Sequence, residues 1–275
     1  MLIGHEKSIS DLKRLAKSGA LPHGYIFSGP SMVGKRLVAL GFANYLETGK
    51  FEEGGLLQDA ILIRPDEKGT LGIDAIRTLK NFLWQKPVFS SRRAAIIDEA
   101  ELLTTEAQNA LLKIAEEPPP STLLILVTSD IEALAPTLRS RLSRIYFSIV
   151  SKGSILELLQ KMGLPKKTAD DIAERSFGKP GLASRLVNDD ALKARLQSAS
   201  TLCKVSGDKR RAFIKGLLDD EEFDFNAFLD AMILNIVPEA KQNPQFWHQL
   251  LELRGKEASF NLNPRLQLDN LTRDL

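Results

Sequence analysis

The sequence predicts an α/β domain built on a parallel sheet, followed by a region made only of helices. In the first 150 residues, short apolar runs bounded by turn residues alternate with helical patterns, and beyond about residue 150 the strand signals stop. The runs are Gly24 to Ser28, Ala60 to Arg64, Ala94 to Asp98, Thr122 to Thr128 and Arg144 to Phe147. Near-continuous apolarity over so few residues fits strands buried on both faces, as in a parallel sheet. Helices between such strands imply a layered fold with right-handed crossovers. The clearest helix carries Ala107, Ala110, Leu111 and Ile114 on one stripe. Thr105 and Gln108 fit a capping box in front of it, and Pro118-Pro119-Pro120 ends it.

The strand-bearing part spans residues 1–150. Ser154 to Met162, Lys167 to Ser176 and Leu182 to Leu196 read as three short helices in a small domain at 151–204. Residues 205–275 form a third, helical domain with apolar stripes through Phe213, Leu217, Phe228, Met232 and Ile233. Hydrophobic residues make up 43% of the 275-residue chain and charged residues 26%, the balance of a chain with a real core. A net charge of +2 is too mild to announce a nucleic-acid binder, though a local basic face stays open.

No apolar run has membrane length, and the N-terminal stretch lacks the apolar core of a signal peptide, so a cytoplasmic protein is expected. The single cysteine, Cys203, leaves no internal disulfide and no multi-cysteine zinc site to expect. His5 and His23 read as structural or surface residues, and Trp84 and Trp247 as core or interface aromatics. Lys13, Arg14, Lys17, Arg92 and Arg93 are candidates for phosphate contact, although scattered basic residues more often only meet solvent.

Directly after the first strand stands Gly29-Pro30-Ser31-Met32-Val33-Gly34-Lys35-Arg36, a G-x-x-x-x-G-K loop. Glycines let backbone N–H groups curl around phosphate, the lysine neutralises its charge, and a following Ser or Thr hydroxyl ligates magnesium. The helix that starts near Lys35 adds its positive end. Here Arg36 replaces the hydroxyl. Phosphate binding survives such a change more readily than hydrolysis does. After the third strand, Asp98 and Glu99 have the residue types that hold magnesium and orient the attacking water. Taken alone, the pair fits equally well a strand that ends in solvated acids.

The segments GPSMVGKR, IIDEAELLTTEAQNALLKIAEEPPPSTLLILVTSD and APTLRSRL together resemble bacterial DNA polymerase III clamp-loader subunits, of the delta-prime type and alongside gamma/tau. The run Asn261 to Asp269 resembles the end of that family's collar domain. The resemblance implies an AAA+ P-loop domain, a small helical lid domain and a helical collar domain. It also implies that Ser129 holds the sensor-1 position. Ser140-Arg141-Leu142 resembles the family's Ser-Arg-Cys motif with leucine replacing the cysteine, a motif whose arginine reaches into a neighbouring subunit's ATP site. Gly181 falls where an active loader ATPase carries its sensor-2 arginine, and Arg185 lies four residues beyond. Residues 44–59 lack the four-cysteine zinc module of many relatives, and Gly49, Gly54 and Gly55 suggest a short loop instead.

Three readings follow. The first is a delta-prime-like assembly subunit in which ATP and magnesium bind weakly or not at all. Its nucleotide residues would be Gly29, Gly34, Lys35, Arg36 and Ser129, with Asp98 and Glu99 in a degenerate site and Arg141 acting in trans. Its partners would be gamma/tau and delta-type subunits, with the sliding clamp and primer-template DNA met through the complex. The second is an active gamma/tau-like loader ATPase. The third is a P-loop enzyme of another class, such as a small-molecule kinase.

Overall fold

Five of the predicted apolar runs form one parallel sheet in the computed structural model, which describes residues 2–52, 55, 57–220, 223–239, 243–257 and 263–272. Gly54 and the Asn261-Leu262 part of the collar-like run lie outside these residues. The chain divides into two units, Met1–Ser154 and Ile155–Leu275.

In the first unit the order is α1 (Glu6–Lys17), β1 (Gly24–Ser28), α2 (Lys35–Thr48), β2 (Ala60–Ile63), α3 (Ile73–Leu83), β3 (Arg93–Ile97), α4 (Thr105–Glu116), β4 (Thr122–Thr128), α5 (Pro136–Arg139) and β5 (Ser143–Tyr146). The strands lie in the order β2-β3-β4-β1-β5, so β1 inserts between β4 and β5. Successive side chains on each strand feed opposite faces. Ile26, Ala95, Ile97, Leu124 and Leu126 join the layer of α3, α4 and α5. Phe27, Ile96, Ile125 and Val127 join the layer of α1 and α2.

Burial on both faces holds for β1, β3 and β4 but not for the other two strands. β2 is half-buried and β5 is largely exposed, because both stand at the sheet's edges. The cap of α4 also differs by one residue from expectation. Thr104 accepts the N–H of Ala107, whereas Gln108 leaves the cap and bridges to the next segment. Its side-chain amide donates to Leu103 O and Ala133 O and accepts the Ala135 N–H at 2.7 Å. Trp84 is 62% exposed, so it is no core residue.

The second unit contains the remainder of α6 (Lys152–Lys161), α7 (Lys166–Arg175), α8 (Pro180–Asn188), α9 (Asp190–Lys204), α10 (Gly207–Leu218), α11 (Phe225–Ile236), α12 (Pro244–Glu257) and α13 (Pro264–Leu271). The single helix expected from Leu182 to Leu196 is two. Asp189 breaks it by accepting the Leu192 N–H and the Arg185 guanidinium, which starts α9 afresh. Ala199 and Leu202 of α9 share one core with Phe228, Met232 and Leu250, so this core begins ahead of residue 205.

Arg210 on α10 ties the end of the described chain to this core. Its guanidinium donates to Val205 O at 2.8 Å and to the carbonyl oxygen of the fully buried Thr272. Stranding a buried carbonyl costs roughly 1–3 kcal/mol per group. Arg210→Ala should therefore lower the unit's unfolding free energy by about 2 kcal/mol. Urea unfolding followed by circular dichroism would read this, and a change under about 0.5 kcal/mol would show that the tie contributes nothing.

Candidate nucleotide-binding site

The sheet order decides where chemistry gathers. β3, β4 and β1 are adjacent and parallel, so their C-terminal ends open at one edge, where ligands of open α/β sheets bind. The loop at 29–36 follows β1, Asp98 and Glu99 follow β3, and Ser129 follows β4.

Gly29 has φ +139°, and a Cβ there would come within 2.1 Å of the Phe147 carbonyl oxygen. Only glycine fits such a backbone. Gly34, at φ +106°, turns the loop into α2. His5 braces the turn: its Nε2 lies 3.0 Å from Val33 O, and its ring meets Phe147 edge-on. Lys35 is buried, with Nζ donating to Gly29 O at 2.6 Å and to Pro30 O at 2.5 Å. Its charge is thus held on two carbonyls of the loop itself.

Arg36 and Asp98 form an ion pair of 2.9 Å, with the carboxylate 8% and the guanidinium 44% exposed. A phosphate-loop ATPase holds its metal with a hydroxyl after the loop lysine and a carboxylate after a strand, the two sequence positions that Arg36 and Asp98 match. Magnesium fits this pair poorly. No hydroxyl is offered at position 36, and the carboxylate is already neutralised. A divalent ion about 4 Å from the guanidinium would meet repulsion on the order of 8 kcal/mol at an effective dielectric of about 20. Water at the exposed side reduces that figure without changing its sign. Glu99 is exposed on left-handed backbone at φ +51°, and among the described residues its carboxylate has no hydrogen-bond or ionic partner.

Ser129 is not free. Its N–H donates to Glu101 Oε1 at 3.2 Å, and its hydroxyl donates to the same oxygen. Burial pushes the Glu101 carboxyl up, but hydrogen bonds led by the Ser129 hydroxyl outweigh it and leave the carboxyl below its ordinary value. The Ser129 hydroxyl is thus tied to an anion of its own chain.

Arg141 follows α5 at the surface, its side chain 36% exposed. It pairs with Glu116 at 2.7 Å and donates to Thr137 O at 2.7 Å. Arg139 instead pairs with Glu132 at 2.6 Å. In the second unit, Gly181 lies in the first turn of α8, and Arg185 bonds Asp189, the residue that ends the helix, at 2.9 Å.

A family model described as "DNA polymerase III, delta subunit" matches residues 4–151, more than half of the chain. The chain belongs to that family. It is 30% identical over 175 residues to the DNA polymerase III subunit gamma/tau of Mycobacterium tuberculosis, a match covering 58% of this chain and 30% of that protein. It is 28% identical over 193 residues to the DNA polymerase III subunit delta' of Pseudomonas aeruginosa, covering 64% of this chain and 58% of that protein. The chain therefore spans well under two thirds of the length of these relatives.

The structure of a DNA polymerase III gamma subunit-related protein from Thermotoga maritima superposes with a TM-score of 0.62 at 22% identity, covering 96% of this chain and 97% of that one. A RuvB variant from the same organism gives a TM-score of 0.54 at 19% identity, covering 92% and 83%. Both likenesses support the same fold, a parallel-sheet α/β domain with a helical C-terminal region.

Within this DNA polymerase III delta family member, several functional partners were not expected from the sequence. Glu101 as the partner of Ser129 and Glu116 as the partner of Arg141 are the main ones. Glu101 had a signal, since it lies one turn past Asp98 in the acidic run DEAE. Arg92 is partly buried and Arg93 buried, and both are engaged with backbone carbonyls. Arg92 donates to Thr122 O and Leu21 O, and the buried Arg93 donates to Lys86 O and Gln58 O while stacking on Phe82. Lys13 lies over the rings of Tyr45 and Phe51.

Proposed function

We propose that this chain is a delta-prime-like subunit of a bacterial clamp loader. It completes a ring with gamma/tau and delta-type subunits, lacks efficient hydrolysis at its own site, and donates Arg141 to a neighbour's ATP. Through that complex it helps to place the sliding clamp on primer-template DNA in the cytoplasm. The observation that carries the reading is the Arg36–Asp98 ion pair at the metal position. Gly181 at the sensor-2 position supports it, and the packing of α9 to α13 supplies a helical body suited to a collar.

The second reading, an active gamma/tau-like ATPase, is favoured by Lys35, Asp98 and Glu99 standing together and by the 30% identity to gamma/tau. Membership of a DNA polymerase III family sets aside a P-loop enzyme of another class.

Steady-state ATPase assays on the isolated chain separate the two readings. Little or no turnover is expected, and Arg36→Thr alone should not restore full activity, because the sensor-2 arginine is still missing. Turnover like that of an active loader subunit, lost in Lys35→Ala, would favour the second reading instead.

A further inference from the structure

The metal position of this loop is occupied by a side chain rather than merely damaged. We propose that the Arg36 guanidinium is a built-in cation, and that the loop at 29–36 takes the phosphate chain of a nucleoside di- or triphosphate without a divalent metal ion. This rests on the reading of the loop as a degenerate phosphate site, and adds to it what the site binds and how.

A metal ion at such a loop does two things. It neutralises phosphate oxygens, and it ties them to the carboxylate at the end of the third strand. A guanidinium can do both, being permanently charged and planar, with five donors. Asp98 takes one of those donors at 2.9 Å. Among the described residues no other side chain bonds to it, which leaves an edge for the bidentate geometry that arginine and phosphate share.

The difference in exposure fits this role. The carboxylate is buried behind the guanidinium, 8% against 44%, so Asp98 anchors the cation from the inner side while its outer side stays open. Lys35 contributes a second fixed charge on the carbonyls of Gly29 and Pro30, and the first turn of α2 contains no acid that would repel phosphate. Lys35 and Arg36 together supply two positive charges on the loop side, facing Asp98 and the exposed Glu99 on the strand side.

Isothermal titration of the full chain with ADP and ATP, once in excess EDTA and once in magnesium, tests this directly. Wild type should bind with affinities that agree within about threefold in the two buffers, a difference smaller than one ordinary hydrogen bond contributes. Arg36→Thr should make binding depend on the metal, with affinity in EDTA falling ~10- to 100-fold, the range of one lost charge-assisted contact. Lys35→Ala should weaken binding in both buffers. If Arg36→Thr does not fold, Arg36→Lys serves: a point charge without the fork should weaken binding in EDTA about tenfold.

A wild-type affinity that collapses in EDTA would overturn the proposal. So would the absence of binding in both buffers, which would leave the assembly reading intact. Conversely, metal-dependent turnover by the isolated chain would strike at the degenerate-site reading itself.

Discussion

Replacing Arg141 by alanine should leave the chain folded and assembled while slowing hydrolysis at the adjacent subunit's site by ~1,000- to 100,000-fold, the span of a lost arginine finger. The chain itself should tolerate the change, because Arg141 has only surface partners. Its pair with Glu116 joins side chains 36% and 48% exposed, and such pairs are worth about 0–1 kcal/mol. That same weakness would let the guanidinium exchange Glu116 for a phosphate presented by a neighbour, as the proposed function requires. Arg141→Lys should also be defective, since a point charge does not reproduce the planar fork. Arg139 is the control. Its own partner is Glu132, so Arg139→Ala should have a smaller effect. Clamp-stimulated ATPase and loading by reconstituted complexes provide the readout, with single-site turnover needed because a ring of the proposed kind would hold several sites. Wild-type rates for Arg141→Ala beside impaired rates for Arg139→Ala would assign the finger to Arg139. If neither mattered, the chain would be a spacer and no donor.

What the sequence made legible follows from which forces act locally. The five strands could be read because apolar runs such as TLLILVT have no other stable use at that length, and the turns around them are marked by Gly, Pro and Ser. The phosphate loop could be read because its geometry is set by its own glycines. What could not be read was pairing at a distance. Arg36 was visible as a defect, but its partner lies 62 residues away, and only the β1-β4-β3 adjacency brings Asp98 to it. Arg93 looked like a solvated cation because nothing nearby in sequence says that Phe82 and two carbonyls enclose it. The break at Asp189 was missed for the opposite reason. Residues 182–196 contain no glycine or proline to mark a break, and a single capping carboxylate competes with the helix locally.

The largest stability effect is expected at Asp59, just ahead of β2. This carboxylate is 1% exposed and accepts the N–H groups of Val88, Phe89 and Ser90 at 2.6–2.9 Å, with Arg93 3.9 Å away and 8% exposed. It thereby fixes the connection from α3 into β3 and compensates a buried guanidinium. Asp59→Ala removes the anion and strands both the cation and the N–H groups, a change that typically costs about 3–5 kcal/mol. Against a whole-domain stability of ~5–15 kcal/mol, that is enough to bring unfolding close to physiological temperature. The pH dependence has a definite sign. Burial alone would raise the Asp59 carboxyl, but the N–H bonds from Val88, Ser90 and Phe89, with the Arg93 charge, outweigh it and hold it below its ordinary value. A carboxyl lowered in the folded state contributes stability that is present above its unfolded value, near ~3.9, and is lost as pH falls through the folded value. Wild type should thus lose its margin over Asp59→Asn only below about pH 4. Urea unfolding of wild type, Asp59→Ala and Asp59→Asn at neutral pH and across the acid range measures both effects. A cost under about 1 kcal/mol for Asp59→Ala, or a margin over Asp59→Asn that does not change as the solution is acidified, would mean that the loop's own backbone rather than this carboxylate holds the connection in place.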